Sequence, residues 1–485
     1  MPELTRSSRL PRDRKLVVLA ICCMSLLIVS LDNTALNVAL PSLRRDLDAC
    51  VSGLQWTIDA YTLVLASLLM LAGSTADRVG RRKVFVTGLI VFALGSLLCS
   101  LAPNLEALIA FRAVQAVGGS MLNPVAMSII TNTFTEPAAR ARAIGVWGGV
   151  VGVSMAAGPL VGGVLVESVG WRAIFWVNLP VALVALLLTL RYVPESRAPR
   201  PRRPDPVGQL LVAALLGCLT YAIIETDPLF AGIAAAALVG LLLYEPRRHE
   251  PLIDLRFFRS APFSGATVVA VCAFAGFGGF LFLNTLYLQD VRGLSPLRAG
   301  LFMLPMAGMT LVFAPLSGRL TGARGPRIPL LLAGTAMASG ALLFAAFGAE
   351  TSDPLLFTGY VVFGIGFGLV NAPITNTAVS GMPRAQAGVA AAVASTSRQV
   401  GQTLGVAVVG AVLAAGAGAG MPPDAYAAAA LPGYWVVTAC GLAVLVVGAL
   451  TSGKWARGTA ERTARCLAEE DEGPRPAVPA DAGHR

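Results

Sequence analysis

Residues Trp56–Lys83 read WTIDAYTLVLASLLMLAGSTADRVGRRK. From Trp56 to Ala76 the only charged side chain is Asp59, and the run is long enough to cross a bilayer, which takes about 20 apolar residues as a helix. It stops on Asp77, Arg78, Arg81, Arg82 and Lys83, a cluster suited to the membrane surface rather than the hydrocarbon. The stretch therefore reads as a span with one carboxylate sunk inside it and a cationic stop at its end.

Outward from this stretch the pattern recurs. The 485 residues are 55% hydrophobic and 13% charged, with a mean hydropathy of +0.71, far from ordinary soluble domains. Fourteen apolar segments run from 16–40 to 433–451, the seventh and eighth (208–226 and 229–245) being the shortest. The expected fold is an all-α integral membrane protein with fourteen transmembrane helices. Arg6, Arg9, Arg12, Arg14 and Lys15 precede the first segment. That segment is too long for a signal peptide and ends at Asn37 and Pro41 instead of a cleavage site, so it is expected to stay as a helix.

With residues 1–15 placed in the cytoplasm, most of the 37 Lys and Arg residues fall on the cytoplasmic side, as the positive-inside rule requires. The C-terminus then lies in the cytoplasm too, in a bacterial inner membrane. The net charge of +10 is accounted for by anchorage at an anionic leaflet, so no nucleic acid is expected. Eight cysteines are scattered without a CxxC and read as small apolar filler. The two histidines, His249 and His484, lie in polar segments, which excludes an intramembrane histidine relay. No metal and no cofactor is expected.

The loops divide the chain. Residues 194–206, PESRAPRPRRPDP, cannot be helical throughout and make a cytoplasmic linker, 194–207, after a first six-helix bundle, 16–193. Two additional helices occupy 208–245, a cytoplasmic loop 246–261, and a second six-helix bundle 262–451. Residues 452–485 read as a disordered tail. A weak repeat supports two related halves: GSTADRVGRRK from Gly73 aligns with GRLTGARGPRI from Gly318, matching Gly80 to Gly325 and Arg82 to Arg327.

Three charges sit inside spans of the first bundle: Asp32, Asp59 and Arg112. A charge at mid-membrane costs roughly 2.5 to 3.5 kcal/mol even on insertion scales, so it marks a partner or a watery cavity. Counting residues from the segment ends at 1.5 Å per residue puts all three within roughly 7 to 14 Å of the outer boundary, so they are expected to meet. The carboxylates either couple protons to transport or form a static ion pair. Asn33 and Asn37, one turn apart, add polar surface beside Asp32 and face either substrate or other helices. Arg398 lies near mid-membrane without an acid at matching depth, and bonds either to backbone carbonyls or to an anionic substrate group. Phe274, Phe277 and Phe280 with Asn284 and Gln289 line an aromatic cavity or face lipid.

The segments LDNTALNVALP (31–41), GSTADRVGRRK (73–83), LIAFRAVQAVGGS (108–120), GPLVGG (158–163), WRAIFWVNLP (171–180) and STSRQVGQTLGVAVVG (395–410) occur in the order and helices of the motifs of one family. Together they resemble the major facilitator superfamily, specifically its fourteen-helix drug/proton antiporters, over about residues 16 to 450. Thr75 and Ala116 depart from the usual leucine and glycine. The resemblance implies the major facilitator fold, with two six-helix bundles plus two extra helices, and no enzyme activity. It implies that Gly73, Asp77, Arg78, Gly80, Arg81 and Arg82 form a cytoplasmic latch stabilising the outward-facing state, and that Gly158, Pro159, Gly162 and Gly163 form the antiporter hinge. Arg112 would relay protons, and Asp59, then Asp32, would couple them. The substrate cavity candidates are Asn33, Asn37, Asn284 and Arg398. The implied function is proton-coupled export of lipophilic or cationic drugs or antibiotics by a monomer in the lipid bilayer, with small-molecule substrate and protons as partners. The alternatives on the same fold are a narrow exporter of a self-made metabolite and a proton symporter.

Overall fold

The structure, a computed structural model, describes residues 11–198, 205–248, 250–348, 351–380, 387–416 and 423–471. The basic residues Arg6 and Arg9, the centre of the expected linker and the far end of the expected tail lie outside the described residues. The described residues are helical, with no strand. In hydrocarbon each backbone N–H and C=O needs a partner within its own segment, which a helix supplies.

The first six helices are α1 (Arg12–Asp46), α2 (Val51–Val79), α3 (Arg81–Ser100), α4 (Leu105–Thr133), α5 (Pro137–Ser168) and α6 (Ala173–Tyr192). Next come α7 (Pro206–Ile224) and α8 (Pro228–Tyr244), then a second set: α9 (Ala261–Leu286), α10 (Pro296–Arg324), α11 (Arg327–Ala345), α12 (Asp353–Val379), α13 (Ala387–Gly416) and α14 (Pro423–Thr451). Among the described residues thirteen helices are individually long and apolar enough to cross a membrane. The fourteenth is α5, if its limbs Arg142–Met155 and Ala157–Ser168, bent by 41°, count as one. The bend has a cause in the sequence: Pro159 has no N–H to offer the carbonyl of Met155.

Equivalent helices pack alike in both sets. α1 lies on α5 as α9 lies on α13; α2 on α4 as α10 on α12; α3 on α6 as α11 on α14. The sets meet where α2 packs on α13 and α5 on α10. The weak sequence repeat has a backbone counterpart: Gly80 and Gly325, ending α2 and α10, both adopt positive φ, 129° and 82°. α7 and α8 pair with each other, and α7 rests on α2 and α13.

Two expectations are corrected. α1 does not stop at Pro41 but runs to Asp46. The tail is not disordered from residue 452: Lys454–Asp471 forms α15, which packs on α9. Its Ala456, Ala460, Thr463 and Leu467 recur at helical spacing and are buried, and Thr459 Oγ1 accepts from the N–H of Ala261 at 2.9 Å.

Candidate functional site

Asp32 on α1 and Arg112 on α4 form an ion pair with no solvent exposure on either side chain. Neighbours take up part of their remaining hydrogen-bonding capacity, while Arg112 Nη2 stays buried without a partner. Gln115, one turn beyond Arg112, accepts from Arg112 Nη1 at 2.8 Å and donates to Asp32 Oδ1 at 3.0 Å and Ser96 Oγ at 2.7 Å. Asn178 on α6 donates to Asp32 Oδ1 at 2.8 Å. Arg112 Nε reaches the carbonyl of Thr57 on α2 at 3.2 Å, and its guanidinium lies 4.2 Å from the Tyr61 ring centre. Five helices of the first set thus converge on one buried charge pair. Such a pair is held by its hydrogen bonds as much as by Coulomb attraction, because taking both charges out of water is expensive.

Asp59 does not join this network, against the expectation that all three charges meet. It is fully buried, and neither carboxyl oxygen has a hydrogen-bond partner. Its direction follows from its neighbours on α2. Gln55, Asp59 and Thr62 are spaced i, i+4, i+7 and share a helix face. Gln55 Nε2 donates to the carbonyls of Val406 and Ala407 on α13 at 3.2 and 2.8 Å, and Thr62 Oγ1 accepts from Thr403 Oγ1 at 2.8 Å. Asp59 therefore occupies the face that α2 turns toward the second set. An unpartnered buried carboxyl is costly to hold charged, so this one is sensitive to whatever enters or leaves that seam.

The named bonds between the two sets lie toward the Asp46 end of the molecule. Gln289 donates to the carbonyl of Val38 at 2.8 Å, the N–H of Leu297 donates to Glu167 at 3.0 Å, and Arg44 faces Asp290 at 3.6 Å. A Cβ on Gly300 would stand 2.3 Å from the Pro159 carbonyl oxygen, and one on Gly163 2.7 Å from that of Pro296. Toward the Gly80 end, Gly145 and Gly149 of α5 and Gly318 and Gly322 of α10 face open space. The two sets are in contact at the Asp46 end, while a Cβ on these four glycines would meet nothing within 4 Å.

The family model "Major Facilitator Superfamily" matches residues 22–406. The chain belongs to the major facilitator superfamily. The multidrug resistance protein Stp of Mycobacterium tuberculosis (strain CDC 1551 / Oshkosh) is 37% identical over 84% of this chain and 78% of its own length. The tetracenomycin C resistance and export protein of Streptomyces glaucescens is 36% identical over 87% and 80%. A bacterial homologue of the lysosomal transporter Spinster, in an inward-facing and occupied conformation, superposes with a TM-score of 0.65 over 93% of this chain and 98% of that one, at 19% identity. This major facilitator chain is a multi-pass membrane transporter, not an enzyme, and its relatives are multidrug and antibiotic efflux pumps.

The second-loop motif of this superfamily member is built within the first set. Asp77 Oδ1 accepts from Arg81 Nε and Nη2 at 3.0 and 2.8 Å. The N–H of Arg81 donates to the Ser196 carbonyl, that of Ala198 to the Asp77 carbonyl, and that of Arg82 to Glu195 Oε1, at 2.9, 3.0 and 3.1 Å. Arg78 is exposed and makes none of these bonds, while a Cβ on Gly73 would meet Pro124 at an ordinary 3.7 Å. Glu195, which the motif does not include, is the missed partner. A Cβ on Gly80 would stand 2.6 Å from Glu195 Oε1 in a backbone conformation that disfavours side chains. Gly80→Ala is expected to lower stability by more than ~1 kcal/mol, read as a fall in Tm that Gly73→Ala does not reproduce.

The glycines of the fifth-helix motif face both sets. A Cβ on Gly158 would overlap Thr34 Oγ1, and one on Gly162 would lie 2.7 Å from the Ala35 carbonyl oxygen, so these two seat α5 on α1. Pro159 and Gly163 instead face α10, as noted above.

The cavity candidates divide. Asn284 is fully buried, donates to the Phe280 carbonyl at 3.1 Å and accepts from Tyr360 at 2.9 Å, so it is satisfied inside the second set. Phe277 stacks on Phe367 and Phe280 on Phe363, with ring centres 4.1 and 4.0 Å apart, and Phe274 meets Phe367 edge-on. This aromatic group packs between α9 and α12, with Phe277 and Phe280 buried and Phe274 half-buried. Arg398 bonds to the hydroxyls of Thr375 and Ser395 at 3.1 and 3.2 Å rather than to backbone carbonyls. Asn37 is buried, its amide on the Asn33 carbonyl at 2.9 Å. Asn33 is half-buried with an unpartnered Oδ1.

Proposed function

We propose that the chain is a proton-coupled antiporter that exports lipophilic or cationic drugs or antibiotics across the bacterial inner membrane as a monomer, with both termini cytoplasmic. On that placement the Asp46 end faces outward, and the open space at Gly145, Gly149, Gly318 and Gly322 supports a reading as a state open to the cytoplasm. The six, two, six division, with bundles at 16–193 and 262–451, sets the rocking units, and α7 and α8 ride on the seam. Proton coupling rests on one observation: Asp59, without any hydrogen-bond partner, on the face between the two sets. In the outward state water reaches the seam and Asp59 takes a proton; after closure at the Asp46 end it releases that proton inward as substrate enters.

Asp32 and Arg112 are the relay beside it, since their pairing depends on how α1, α4 and α6 are held together. Asp77, Arg81 and the linker bond network form the latch, whose grip on the first set changes as the Gly80 end closes. Asn33, with its free acceptor, and Arg398, held by two neutral hydroxyls, are the substrate-facing polar groups. A narrower exporter of a single antibiotic is favoured as the second reading by the tetracenomycin C export protein among the relatives.

The test is proton release from energised inverted vesicles on adding cationic dyes, biocides and antibiotics one at a time. Wild type is expected to respond to several compounds, and Asp59→Asn to none, with dye binding to the purified variant retained. Release by Asp59→Asn equal to wild type removes Asp59 from coupling. A response to one antibiotic alone selects the narrow exporter.

A further inference from the structure

Asp205 and Glu245 come together where α7 begins and α8 has just ended, at the Gly80 end of the accessory pair. Asp205 is 3% and Glu245 1% exposed. Asp205 Oδ1 caps α7 by accepting from the N–H of Gly208 at 3.0 Å and accepts from Tyr244 Oη at 3.1 Å. Its Oδ2 has no partner, and neither oxygen of Glu245 has one. The backbone N–H groups of Leu252 and Ile253 lie near enough to Glu245 to favour its charged form against the effect of burial, though neither makes a hydrogen bond with it. Arg248, exposed and over the Tyr244 ring at 5.8 Å, is the nearby cation. Both free carboxyl faces crowd one point: a Cβ on Gly208 would lie 2.6 Å from Glu245 Oε1 and 2.7 Å from Asp205 Oδ2.

Two buried carboxylates so close repel strongly if both are ionised, and sharing one proton turns the repulsion into a hydrogen bond. We propose that Asp205 and Glu245 form a proton-binding site, separate from the Asp32, Asp59 and Arg112 residues, that clasps the two accessory helices together by one proton held between Asp205 Oδ2 and Glu245. The pair then carries a single negative charge, one carboxyl having given up its proton and the other keeping it. Gly208 is the position that lets the two acids meet. Next to it, Gln209 donates to the Ser67 carbonyl of α2, so the clasp sits beside the attachment of the accessory pair to the first set. The site stands on this geometry whether or not export is proton-driven.

The experiment is infrared spectroscopy of the purified full chain in lipid nanodiscs, titrated from mildly acidic to mildly alkaline pH. Wild type minus Glu245→Gln is expected to show a protonated carboxyl C=O band at neutral pH that vanishes on alkalinisation. Glu245→Gln should fold, because its amide N–H stands in for the shared proton. The native pair keeps its proton where unfolded carboxyls, near about 4, have lost theirs, so stability from the clasp is present at low pH and lost as pH rises. The Tm of wild type should therefore fall relative to Glu245→Gln on alkalinisation. Gly208→Ala, which wedges the acids apart, should move loss of the band to lower pH. No difference band at neutral pH, or a band that appears only when sodium and potassium are withdrawn, overturns the proposal, the second by showing a metal cation in the proton's place.

Discussion

Arg112→Met is expected to destabilise the transporter severely, and the double change Asp32→Leu with Arg112→Met to recover much of the stability without recovering transport. In the single variant Asp32 keeps the donors of Gln115 and Asn178 but loses the only cation paired with it among the described residues. Breaking a buried pair in this way costs about 3–5 kcal/mol, whereas replacing both charges by apolar groups is often neutral or better. Gln115 and Asn178 are not orphaned in the double variant, since both also donate to Ser96, at 2.7 and 3.3 Å. Thermal unfolding of the purified proteins gives the stability cycle, and drug-evoked proton release gives the function. Equal Tm values for wild type and Arg112→Met would show that the pair is not formed in the folded protein.

Gly300→Val is expected to open the Asp46 end while leaving each six-helix set folded. The added side chain would run into the Pro159 carbonyl across the seam, where even a Cβ stands at 2.3 Å. Overpacking costs about 1–3 kcal/mol, and a bias of that size moves a two-state equilibrium about 5- to 150-fold. The measurement is the distance between spin labels on Arg44→Cys and Asp290→Cys in a background lacking the native cysteines. That pair, now joined at 3.6 Å, should shift to longer separations with Gly300→Val. Gly145→Val, at a position facing open space, should leave it unchanged. An unmoved distance with full export would mean that this contact does not hold the gate.

The spans were legible because burial in lipid writes itself into every residue of a segment, and the fourteen apolar runs recur as α1 to α14. The shared level of Asp32 and Arg112 was legible too, since it needs only the rise per residue and the two side chains pair. What depth cannot supply is direction around the helix axis. Asp32, Asp59 and Arg112 share a level, yet Asp59 faces α13 while the other two face inward among α3, α4 and α6. The clue was local: Gln55 and Thr62 mark one face of α2, but their partners on α13 lie far away in sequence. Asn178, Ser96 and Glu195 escaped for the same reason, being unremarkable until packing brings them to a charge. Aromatic spacing alone does not tell a cavity wall from a packed seam, so the stacking of the α9 phenylalanines on α12 is visible only in the fold. For α15, averaging over a charged, proline-containing tail concealed a short amphipathic stripe.

The contact of Gln55 with α13 limits which positions of this transporter are free to change. Gln55 grips α13 through the carbonyls of Val406 and Ala407, groups that every amino acid there would present. The side chains of Val406 and Ala407 are thus not needed for this contact, whereas Thr403 holds Thr62 through its own hydroxyl and Gly410 must stay small, a Cβ there lying 2.4 Å from Gln55 Cδ. Val406 and Ala407 can therefore be exchanged one at a time while the two six-helix sets keep the same handle on each other.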